Sequence, residues 1–169
     1  MKKSLFTTRD LAQAGIVAAL YTALIFVAPL HSHGIFQIRA SEALTILPIF
    51  TPVAIPGLFV GVVVANFLNP HGMHMVDVIF GSLTTLIAAY STYQIGKHLK
   101  IHEFPKFLVA MIPPVALNAL IVGTYVQILW YPAYPIWIAW MLVGFGQIIA
   151  CYGLGGILYV AMKKAKMPI

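Results

Sequence analysis

The chain has 169 residues, 61% of them hydrophobic and only 8% charged, whereas a soluble globular domain carries about 25% charged residues; the inventory excludes an aqueous surface. Ten Lys+Arg against four Asp+Glu give a net charge of +6, but the basic residues fall in short clusters between apolar runs, a pattern of membrane topology rather than of a nucleic-acid-binding face. A single cysteine, Cys151, excludes an internal disulfide and a cysteine-based metal cage.

A membrane-spanning helix needs about 20 apolar residues, within a range of about 17–25. The first such segment is Leu11–Pro29. It follows "MKK", yet no A-x-A-like cleavage site comes after it and the run is long enough to span, so it is expected to be retained. Within it, Ala14 and Ala18, Gly15 and Ala19, and Ala19 and Ala23 recur at four-residue intervals. Such small-xxx-small strips let another helix approach closely, whether inside the bundle or from a partner subunit. A polar loop, "HSHGIFQIRA", comes next.

The second and third segments, Ser41–Phe50 and Ile55–Leu68, are short and separated by "TPVAIP". Pro48, Pro52 and Pro56 suit a tight turn or broken helix ends within the membrane, which favours two spans over a single re-entrant hairpin. Arg39 and Glu42 stand at the mouth of the second segment. In a structural reading Ser41 caps the helix, Glu42 lies in the first turn where the helix dipole favours an anion, and Arg39 snorkels to headgroups. In a functional reading Glu42 faces an outward-open cavity and accepts hydrogen bonds from an N–H-rich ligand. Gly57, Gly61 and Ala65 repeat the small-residue spacing in the third segment, and Asn66 interrupts its apolar run.

The fourth segment is Val76–Gly96, opened by Asp77 as an N-cap or a second ligand carboxylate. The fifth, Phe107–Trp130, contains a Pro113–Pro114 pair that must free backbone carbonyls, with Asn118 four residues after Pro114. Asn66, Asn118, Gln127 and Gln147 each suit interhelical hydrogen bonding. The sixth segment is Ile136–Met162, and "WYPAYPIWIAW" at its start reads as an interfacial aromatic belt or as rings able to stack on a planar heterocycle.

Six segments make an all-α integral membrane protein, a single domain over residues 1–169 built as a bundle of six transmembrane helices. Lys2, Lys3, Arg9, Lys97, Lys100, Lys106, Lys163, Lys164 and Lys166 then share one side, which the positive-inside rule makes cytoplasmic together with both termini. His31, His33, His71 and His74 lie in the two outer loops at H-x-H and H-x-x-H spacings that can chelate a divalent metal. No G-x-x-x-x-G-K-[ST] signature is present, so this sequence does not itself hydrolyse ATP. Neither a serine–histidine–acid set nor HExxH points to an enzyme, and the halves show no inverted repeat of the kind many secondary transporters carry.

The runs "RASEALTILPIFTPVAIPGLFVGVVVANFL", "DVIFGSLTTLIAAY" and "PPVALNALIVGTY", in that order, resemble the queuosine-precursor transporter (QueT) family, substrate-binding S components of energy-coupling factor (ECF) transporters. The similarity extends from about Leu11 onward. It implies a six-helix bundle in the bacterial cell membrane that captures a 7-deazaguanine (preQ0, preQ1 or queuine) from outside. It also implies a transmembrane coupling protein and two ATPases as partners, with no cofactor. The family picture places the coupling-protein interface on Ala14, Gly15, Ala18 and Ala19. A deazaguanine presents N1–H and an exocyclic NH2 side by side, a donor pair that suits Glu42 first and Asp77 second. Asn66 and Asn118 complement O6 and N3, Arg39 approaches the O6 edge or holds Glu42, and Trp137 or Trp140 covers a ring face. The alternatives are an S component for a divalent metal bound by the loop histidines, and a self-sufficient transporter driven by an ion gradient.

Overall fold

A computed structural model describes residues 7–27, 35–69 and 75–165, which form six helices and, among the described residues, no strand. They are α1 (Thr8–Val27), α2 (Ala40–Ile49), α3 (Ala54–Phe67), α4 (75–98), α5 (Glu103–Trp130) and α6 (Ile136–Lys164). Three of them, α1, α5 and α6, are long and apolar enough to cross a membrane.

The chain has an apolar exterior as well as an apolar core, with a set of polar residues buried among the core side chains. Leu11, Val27, Phe104, Met141 and Ile157 are exposed, while Arg39, Glu42, Asn66, Thr92, Asn118 and Gln147 are buried. In lipid this arrangement puts apolar side chains against the acyl chains and lets polar groups satisfy one another within the bundle.

α1 starts at a reciprocal cap. The Thr7 amide donates to Asp10 Oδ2 at 2.8 Å and the Asp10 amide donates to Thr7 Oγ1 at 3.2 Å, so two of the amides left over at the helix start are satisfied. The helix then seats on α3 through glycine. A Cβ at Gly57 would stand 2.7 Å from the Ala14 carbonyl oxygen, and one at Gly61 would stand 2.8 Å from Tyr21 Cβ. Thr22 Oγ1 donates across the seam to the Gly61 carbonyl at 3.2 Å.

α2 is a ten-residue 3₁₀ helix whose residues from Ser41 to Ile49 are all buried. Runs beyond three or four residues are uncommon in this tighter geometry. At about 2.0 Å per residue it covers about 20 Å, and the fourteen residues of α3 cover about 21 Å at 1.5 Å per residue. Its N-terminal end meets Asn66 at the close of α3, while Ile49 at its other end packs on Gly96 near the end of α4. Ile46, Ile49 and Phe50 join Phe107, Cys151 and Tyr159 in one apolar cluster at that second end. α2 therefore runs along the bundle from one end to the other, and the chain reverses between residues 50 and 54.

The expectation that Ser41 caps α2 is not met. The helix begins one residue earlier, with Arg39 in the cap position and no side-chain cap, and Ser41 is buried inside it with no partner for its Oγ. Arg39 does not snorkel either: it is 4% exposed.

α4, α5 and α6 each contain a π-helical turn, at Asp77–Gly81, Asn118–Val122 and Ile149–Leu154. Such turns inside α-helices are frequent at functional sites. The first two abut one another and the third lies against α2. In α5 the diproline breaks the helix at Met111. Pro114 has no N–H for the Ala110 carbonyl one turn back; Thr92 Oγ1 on α4 donates to that oxygen instead, at 3.0 Å.

Candidate functional site

The polar residues singled out in the sequence converge at the N-terminal end of α2. The Tyr21 hydroxyl on α1 donates to Glu42 Oε1, while Glu42 Oε2 is buried and has no hydrogen-bond partner. The Glu42 carbonyl is fixed from its own helix by Thr45 Oγ1, at 2.6 Å, and the Cys151 thiol of α6 lies 3.8 Å from it. Burying a polar atom without a partner costs about 1–3 kcal/mol, and more for a charged group. A carboxylate held at one oxygen and open at the other is poised to accept from an N–H donor.

Arg39 is anchored separately. Its Nη2 donates to Asn66 Oδ1 at 3.0 Å, and Asn66 Nδ2 donates to the Asp77 carbonyl at 2.8 Å. Asp77 Oδ1 in turn accepts from the Tyr125 hydroxyl at 2.8 Å. A chain of bonds thus ties the α2 entrance to α3, α4 and α5. Asp77 is not a cap: it lies inside α4, which is already helical at Met75 and Val76, and its carboxylate is used across the bundle. Gly81 makes room for the chain, since a Cβ there would stand 3.0 Å from Asn66 Nδ2. Arg39 Nε, Ser41 Oγ and Ser82 Oγ are buried without partners.

Arg39 and Glu42 do not form a direct ion pair; among the described residues the only one joins Lys163 and Glu103. Each charge is instead oriented by a neutral side chain. The Arg39 charge lies within electrostatic reach of both carboxylates, Glu42 and Asp77. One cation and two carboxylates in a low-dielectric interior make a site suited to a polar, N–H-rich molecule.

Other expected residues sit further out. Asn118 is buried, and its Nδ2 donates to the Pro114 carbonyl at 2.8 Å. Trp140 is half-buried, donates Nε1–H to Thr124 Oγ1 at 2.9 Å and packs over Gly123, whereas Trp137 is 56% exposed. The two alanine–glycine strips of α1 separate cleanly. Ala14 and Ala18 face Gly57 and Gly61 of α3, while Gly15 and Ala19 are exposed, with nothing within 4 Å of a Cβ at Gly15. His31, His33, His71 and His74 lie outside the described residues.

Sequence reasoning missed Tyr21, Tyr125, Ser82 and the close seat of the entering loop. The Gln37 carbonyl packs on Gly146 so tightly that a Cβ there would lie 1.8 Å away. The available signal was a phenol in the middle of an alanine-rich span, Tyr21, and another one residue after Thr124 in "GTYVQ".

Comparison with known proteins adds two findings. The family model of the QueT transporter matches residues 11–164. The queuosine precursor transporter QueT of Lactococcus lactis subsp. cremoris (strain MG1363) is 39% identical over 89 residues, 52% of this chain and 50% of that protein. The match thus spans about half the length of this curated relative. No solved structure matches. With a family match over nearly its whole length, and polar residues of the matched region gathered into one buried network, the chain belongs to the QueT transporter family.

Proposed function

We propose that this chain is the substrate-capture subunit of an ECF-type importer in the bacterial plasma membrane, and that it binds a 7-deazaguanine queuosine precursor. The observation that carries the reading is the pair of open groups on buried, oriented charges: Glu42 Oε2 and Arg39 Nε. A deazaguanine offers N1–H and a 2-amino group as adjacent donors and O6 as an acceptor. Glu42 takes the donor pair through Oε2 and the remaining lone pair of Oε1, and Arg39 Nε–H donates to O6. Asn66, with both ends of its amide engaged, positions Arg39. Asp77 supplies a second carboxylate toward the 7-substituent, and Asn118 keeps its Oδ1 as an acceptor. Of the two tryptophans, the half-buried Trp140 is better placed than Trp137 to cover a ring.

The proposed topology is six spans with cytoplasmic termini. The end-to-end course of α2 supports it, as does the gathering of Lys97, Lys106, Lys163 and Lys164 toward the end opposite Arg39 and Glu42. The partners are a transmembrane coupling protein and two ATPases. Gly15 and Ala19, on the open face of α1, are the proposed coupling strip, with Ala14 and Ala18 shaping it from the α3 side.

Calorimetric titration of the purified protein with 7-cyano- and 7-aminomethyl-7-deazaguanine and queuine tests this, with guanine and Ni²⁺ as controls. Tight binding of a deazaguanine with guanine rejected is expected. Silence on all the bases with a metal signal would move the site to the loop histidines.

A further inference from the structure

A cavity of about 480 Å³ opens between the start of α5 and the last turns of α6, running from Tyr152, one residue after Cys151, toward the Lys163 end of the helix. Phe104 and Phe107 form its α5 wall; Tyr152, Gly153, Gly156 and Ile157 line it from α6. Its walls are braced. The Tyr152 hydroxyl donates to the Leu108 carbonyl at 2.9 Å and the Tyr159 hydroxyl to the Glu103 carbonyl at 3.2 Å. Two glycines make the hollow: a Cβ at Gly153 would meet nothing within 4 Å, and one at Gly156 would meet only the Phe107 ring.

The groove has a charged head. Residues four and seven apart share a helix face. Lys163 therefore continues the row of Gly156 and Tyr159, and Lys164 continues the row of Ile157 and Val160. Lys163 is paired with Glu103 at the rim, which leaves Lys164 without a carboxylate partner in the described residues. An apolar slot that ends in two lysines, Lys163 and Lys164, and a single carboxylate matches an amphiphile with an anionic head and a hydrocarbon tail. It does not match a partner helix, which would bring its own backbone and side chains against those cations.

We propose that this groove is a binding site for one anionic phospholipid. An acyl chain lies over Gly153 and Gly156, and the phosphate sits beside Lys164. In a bilayer the tail gains nothing from leaving lipid for an apolar slot, so the selectivity comes from the head. A lysine near an anionic membrane surface favours it about fivefold. The proposal does not depend on the identity of the transported ligand.

The test is native mass spectrometry of the full chain in detergent with equimolar dioleoylphosphatidylglycerol and dioleoylphosphatidylcholine. The wild type is expected to retain one phosphatidylglycerol in preference to phosphatidylcholine by about fivefold. Lys164→Gln should abolish the preference. Gly153→Leu, which fills the hollow where there is room for a side chain, should lose the retained lipid while keeping the wild-type elution volume. Equal retention of both lipids, or retention unchanged in Gly153→Leu, overturns the proposal. So does a Gly153→Leu chain that holds its lipid but no longer co-purifies with a protein partner, an outcome that would assign the groove to that partner.

Discussion

Adding one methyl group at Gly61 separates packing from propensity. Helix propensity alone favours Gly61→Ala by about 1 kcal/mol, so a helix that met no neighbour at this position would become more stable. The structure predicts the reverse. The new Cβ would stand 2.8 Å from Tyr21 Cβ and 3.0 Å from the Ala18 carbonyl, whereas ordinary contact begins at 3.4 Å, so α1 must back away by about 0.6 Å (3.4 − 2.8). The obstructing atoms are backbone and a Cβ, which cannot rotate aside, and overpacking of this kind costs about 1–3 kcal/mol. Since Tyr21 also holds Glu42, the same displacement loosens the carboxylate and weakens ligand binding. Equilibrium unfolding in mixed detergent–SDS micelles measures the first effect and calorimetry the second. Gly15→Ala is the control: its Cβ meets nothing within 4 Å, and stability should hold or rise. A Gly61→Ala protein as stable as wild type, with undiminished affinity, would refute the seating of α1 on α3.

Three further substitutions probe separate links. Tyr21→Phe removes a hydrogen bond to a charged group, worth about 1.5–3 kcal/mol; affinity should fall at least tenfold with the fold intact by circular dichroism. Thr92→Val leaves the Ala110 carbonyl without a donor and should destabilise by about 1–3 kcal/mol in the unfolding assay, with ligand affinity little changed because the bond lies away from Glu42. Trp140→Leu should lower ligand affinity, whereas Trp137→Leu, at a 56% exposed position, should leave it within about twofold of wild type.

Much of the helical course was legible because the long apolar runs are bounded by charge or by helix breakers. The expected Leu11–Pro29, Phe107–Trp130 and Ile136–Met162 correspond to α1, α5 and α6, each extended at one end by a short segment that carries charge: Arg9 and Asp10, Glu103 and Lys106, and Lys163 and Lys164. The limits of α2 were close, but its 3₁₀ winding was not foreseeable. That geometry is imposed by neighbours on every side and by Pro48 inside it. The same burial defeated the capping argument for Ser41, which assumed a helix start in contact with water. Glu42, Arg39, Asn66 and Asp77 stood out as polar residues in an apolar chain, and they do meet. Their pairing did not stand out, since charge alone predicts Arg39 against Glu42, while the fold gives each a neutral partner from another helix. Tyr21 and Tyr125 were passed over because a tyrosine in a membrane segment reads first as an interfacial or packing residue.

The central claim is that Glu42 receives the donor edge of a deazaguanine. Calorimetric titration of wild type and Glu42→Gln with the best-binding 7-deazaguanine tests it most directly. Glutamine keeps the shape and one acceptor but loses the charge, and its NH2 faces either the ligand's donors or the Tyr21 hydroxyl, so one or two charge-assisted hydrogen bonds of about 1.5–3 kcal/mol each are forfeited. The predicted result is an affinity loss of at least tenfold with the protein still folded and monodisperse. An unchanged affinity would remove Glu42 from the site and contradict the account.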